Sequence, residues 1–117
     1  MISQEPGEMS AEMEVPTDWI ARQHARQRVM IGVKFRRKGE SWFRSKVTDL
    51  SPAGFRLLSF VKLKVGMETW VMFPGFEGRR ARVIWVSNHE AGCMFESLLH
   101  PAIFDHIMRL SEPDPRG

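Results

Sequence analysis

From Val29 the chain alternates. Val29, Ile31, Val33 and Phe35 fall on one face, and Met30, Gly32, Lys34 and Arg36 on the other, the period of a half-buried strand. Lys38-Gly39-Glu40 reads as a turn. A second strand is expected over 41–48, with Phe43 and Val47 inward and Trp42, Arg44 and Lys46 outward. The polar stretch DLSPAG then turns the chain, and Phe55 and Leu57 open a third strand. Gly66 precedes a fourth at Trp70 to Phe73. Pro74-Gly75 ends it, and a fifth follows in which Ala81, Val83 and Trp85 alternate with Arg80, Arg82 and Ile84. After a turn at Ser87 to Ala91, Cys93 and Phe95 share one face of a short sixth strand.

The period changes beyond Pro101, a residue suited to a first helical turn. Ile103, Phe104, Ile107, Met108 and Leu110 recur at helical spacing, predicting a helix that lays an apolar stripe across one end of the sheet. Six short strands at intervals of roughly 8–12 residues indicate a mainly all-β chain. At 117 residues the expected architecture is a six-stranded antiparallel barrel with a C-terminal helix, since closure removes the open edges. Residues 1–18 show no clear period and are expected to form a disordered acidic tail. The domain is expected over 19–112, with a flexible tail at 113–117.

Composition narrows the function classes. No apolar run approaches the length of a membrane span, and the acidic N-terminus is the reverse of a secretory signal. The single Cys93 cannot form an internal disulfide, so a cytoplasmic location is expected. No nucleophile elbow or acid–base pair is evident, and His24, His89, His100 and His106 lack zinc-ligand spacing. Neither an enzyme nor a metal site is expected, and no cofactor is implied. The net charge of +3 hides an asymmetry. Glu5, Glu8, Glu12, Glu14 and Asp18 stand in the tail without a single base. Residues 22–46 then carry nine Lys and Arg against Glu40 alone, an electrostatic footprint for an anion.

Two short patterns carry candidate chemistry. Arg22 and Arg26, four apart, present two planar forks, each able to take two oxygens of a phosphate or the O6/N7 edge of a guanine. About one such pair is expected by chance in a chain this rich in arginine. Asp49-x-Ser51-x-x-Gly54 is rarer, with roughly 0.02 occurrences expected from composition. Asp49 can accept from the donors of a guanine Watson–Crick edge, and Ser51 can donate or accept. Gly54 permits positive φ and close backbone approach. Equally, Asp49 and Ser51 could do no more than cap their own hairpin loop.

Taken together, RxxxR just before the first strand and D/NxSxxG after the second resemble the signature of the PilZ domain. The resemblance continues through Gly66, the strand ARVIWV, GCMF at Gly92 to Phe95 and the closing helix, covering roughly residues 20–112. It implies a PilZ-type barrel that binds the bacterial second messenger cyclic di-GMP. Carried over, Arg22 and Arg26 would form a clamp on a loop that folds over the ligand. Asp49 and Ser51 would hold a guanine from the barrel side, and Gly54 would serve the turn. Arg28, Arg44 and Lys46 are additional candidate contacts. The implied function is a receptor that passes its state to an unidentified downstream protein. The alternatives are a module of the same fold that binds a protein and no nucleotide, or a barrel that binds nucleic acid through its basic face and Trp42; nucleic acid is not the expected partner. The acidic tail is expected to cover the basic site until ligand displaces it.

Overall fold

A computed structural model describes residues 26–111 of the chain; Arg22 and both expected tails lie outside the described residues. Six strands form, β1 Gln27–Arg37, β2 Phe43–Leu50, β3 Gly54–Leu58, β4 Glu68–Met72, β5 Arg79–Ser87 and β6 Glu90–Phe95, followed by helix α1 Pro101–Met108. All pairings are antiparallel, and the order β1-β2-β3-β6-β5-β4 closes into a barrel. The eleven-residue β1 closes it by pairing with β2 along its first part and with β4 from Lys34 to Arg37.

The interior is the inward half of the alternation. Val29, Ile31, Val33, Phe35, Val47, Leu57, Val71, Ala81, Val83, Cys93 and Phe95 are all buried. A large apolar side chain so buried contributes about 1.5–3 kcal/mol. Phe55, Phe73 and Phe95 meet in a cluster with ring centroids 5.2–6.5 Å apart, separations at which aromatic edges and faces attract. The helix behaves as its spacing predicts. Ile107 is fully buried while Ile103, Phe104, Met108 and Leu110 pack against the same core. His100 caps it, its ring nitrogen Nδ1 accepting from the Ala102 amide at 3.0 Å, with Pro101 in the first turn.

Three departures from the sequence expectation shape the site, each for a stated reason. β2 runs two residues past 48, because an extra residue at Thr48 shifts the pairing between Val47 and Asp49. Leu50 thereby becomes buried and Asp49 falls within the strand. The connection shrinks to Pro52-Ala53 between Ser51 and Gly54, which exchange backbone hydrogen bonds at 2.9 and 3.3 Å. On β5, an extra residue at Ile84 shifts the pairing between Val83 and Trp85. Trp85 therefore leaves the inward set of Ala81 and Val83.

Candidate functional site

Register assembles the site. Arg28 on β1 pairs with Asp49 on β2, Asp49 with Arg56 on β3, Arg56 with Gly92 on β6, and Gly92 with Trp85 on β5. The five residues form one row across the barrel wall. Arg56 lies between buried Phe55 and Leu57, so the row is on the outer face. Each of the three bulges that interrupt the ladder adjoins a member of this row, at Arg28, Asp49 and Trp85. A bulge bends its strand and re-aims a side chain. On β1 the Met30 amide, lying in the bulge, donates to Ser111 Oγ at 2.9 Å, tying the end of the helical segment to the strand.

Asp49 Oδ2 lies 3.1 Å from Arg56 Nε, an ion pair of two partly buried side chains. The angle is not that of a hydrogen bond, and the buried Nε has no hydrogen-bond partner among the described residues. A carboxylate offers about four lone-pair positions, so Asp49 keeps acceptor capacity for a ligand. The Arg56 guanidinium also sits 5.7 Å from the centroid of the Trp85 ring. The indole crosses Gly92, where a Cβ would lie 1.9 Å from Trp85 Nε1. Gly92 therefore leaves the space that the Trp85 ring fills.

The turn is held rigidly beside this row. Ser51 is buried, and its Oγ accepts from the amides of Ala53 at 3.2 Å and Gly54 at 3.1 Å. The carbonyls of Pro52 and Ala53 accept from Leu99 and Phe95 amides at 2.9 and 2.8 Å. Ser51 thus caps its own turn. Gly54 is absent from the positive-φ residues, correcting that half of its expected role. Its close approach is real: a Cβ there would meet the Cys93 carbonyl oxygen at 2.2 Å.

Arg26, Asp49, Ser51, Gly54 and Arg56 line one notch of about 110 Å3, with Ile84 and Met94 at its apolar edge. Both apolar side chains are close to half exposed. Arg26, from the first motif, is thereby brought to the second. Arg28 neighbours Asp49 by register. Arg44 and Lys46 line a different, larger cleft, and Arg22 lies outside the described residues. Sequence reasoning missed Arg56, Trp85 and Gly92, which carry no motif of their own. Trp85 and Gly92 lie in the ARVIWV and GCMF stretches that carry the resemblance, but it is strand pairing to Asp49 and to one another that marks all three as site residues. The Cys93 thiol is buried behind the turn, and desolvation pushes it up to about 12. Among the described residues no group of three or more His, Cys, Asp or Glu is placed to hold a metal, and no helix is long and apolar enough to cross a membrane.

No curated protein sequence matches the chain. One solved structure of the same fold is described as the crystal structure of the PilZ domain of CeSA from a cellulose synthesizing bacterium. It is 18% identical, covers 74% of this chain and 93% of its own, and superposes with a TM-score of 0.52. The family model for the PilZ domain matches residues 21–112, most of the chain and the whole of the closed barrel with its helix. The chain belongs to the PilZ domain family.

Proposed function

We propose that the protein is a receptor for cyclic di-GMP, the ligand for which PilZ domains are known. One observation carries the reading: Arg26 shares a single notch with Asp49, Ser51 and Gly54, residues more than twenty positions away in sequence. A guanine edge supplies donors for the Asp49 carboxylate, and phosphate oxygens suit the planar forks of Arg22 and Arg26. Ser51 and Gly54 fix the turn that carries this edge, and Arg28 adds positive charge beside it. Arg56 and Trp85 add planar groups on which a purine can stack. The notch is too small and open to enclose a dinucleotide alone. A second wall therefore comes from residues 19–28, which close over the ligand and alter the surface a protein partner meets.

Calorimetric titration with cyclic di-GMP tests this. The native chain binds saturably; Arg26→Ala and Asp49→Ala each weaken binding by about 1.5–3 kcal/mol, the loss of a charged hydrogen bond. Arg22→Ala behaves alike. Absence of binding by the native chain overturns the receptor reading and leaves a protein-interaction module.

A further inference from the structure

A second cleft of about 790 Å3 lies away from the notch, lined by Gly32, Lys34, Arg44, Lys46, Phe60 and Met72 among others. Register places its charges on the outer face: Lys34 pairs with Arg44, and Gly32 with Lys46. No Asp or Glu lines it. Lys34, Arg44 and Lys46 make no ion pair with a described residue. Like charges directly opposite across a strand pair are destabilising, so the Lys34–Arg44 pair is a cost that an anionic occupant relieves. Apart from Ser45 the rest of the lining is apolar or glycine, and Phe60 is 85% exposed.

The chain itself contains a segment with the matching chemistry. Residues 1–18 carry Glu5, Glu8, Glu12, Glu14 and Asp18 with no base, and Met9 and Met13 stand four apart for apolar contact. Reach is sufficient. The eight steps from Asp18 to Arg26 span up to about 26–29 Å, and Gly32 lies about 20 Å along β1 from Arg26. The notch at Asp49 is a poorer destination for carboxylates, because it holds one of its own already paired to Arg56.

We propose that residues 1–18 dock in the cleft between Lys34, Arg44 and Lys46, with their carboxylates on these cations and Met9 and Met13 against its apolar lining. Being tethered, the segment binds at an effective concentration far above that of a free peptide.

A nitroxide placed at Gln4→Cys in the full chain tests the docking. Cys93, 2% exposed with its thiol pushed to about 12, leaves the introduced thiol as the reactive one. At low salt, relaxation broadening is expected to be strongest at the amides of Gly32, Lys34, Arg44 and Lys46, and to fade at high salt. A Cβ at Gly32 meets nothing within 4 Å, so a side chain starts there in open space, and Gly32→Trp, checked to keep the barrel's amide spectrum, is expected to fill the cleft and abolish the pattern. Lys46→Glu, a milder change, weakens it. Broadening that is strongest at Asp49 to Arg56 overturns the proposal, as does a pattern indifferent to both substitutions or no localised broadening at all.

Discussion

At the scale of the residue, the Asp49-x-Ser51-x-x-Gly54 stretch divides its labour. Asp49 faces outward beside Arg56 with acceptor capacity to spare, whereas Ser51 spends its oxygen on two turn amides. Gly54 is required by the neighbouring strand: its missing Cβ makes room for the Cys93 carbonyl. Gly54→Ala therefore forces β3 from β6, and we expect a loss of about 1–3 kcal/mol in urea unfolding, the range of overpacked interiors. An unchanged midpoint would contradict the close approach. Asp49, Ser51 and Gly54 were legible because their spacing is rare. Arg56 was not, since an arginine between Phe55 and Leu57 reads as a solvated charge until pairing sets it opposite Asp49.

At the scale of the element, the alternation predicts six strands and the helical spacing predicts α1, and all seven form. Burial of one face fixes them: Val29, Ile31, Val33 and Phe35 have nowhere else to go. The bulges were hidden, because an extra residue is invisible in a pattern read strand by strand and emerges only from pairing with the neighbour. They are what sets the row, aiming Asp49 and Trp85 outward where simple alternation fails. The bulge has a local cost. Thr48 Oγ1 is buried without a hydrogen-bond partner among the described residues, and burying an unpaired hydroxyl costs about 1–3 kcal/mol. Thr48→Val keeps the branched shape and removes the hydroxyl, so its unfolding midpoint should rise by an amount worth about 1 kcal/mol. A fall would show that the hydroxyl has a partner in the folded protein.

At the scale of the whole molecule, closure depends on β1 meeting β4, thirty and more residues apart in sequence. The sequence implied closure through the argument that a small sheet must lose its edges, and through the resemblance to a PilZ-type barrel. Closure buries Cys93, whose ordinary value of 9.0 rises to about 12 by desolvation. The sign follows: below about pH 9 the thiol is neutral in both states, and above it the unfolded chain ionises first. Stability should therefore fall between about pH 9 and 12, and Cys93→Ala should flatten that part of the decline in pH-dependent unfolding. An identical alkaline slope in the variant would contradict it. The larger claim is that a row running from Arg28 through Asp49, Arg56 and Gly92 to Trp85 is one surface for one ligand. Heteronuclear NMR during titration with cyclic di-GMP tests it most directly. The account predicts saturable shifts at the amides of Asp49, Gly54, Arg56 and Gly92 and at the Trp85 indole Nε1–H, all with one dissociation constant. Titration without saturable shifts along that row, or with shifts confined to residues far from it, would contradict the account.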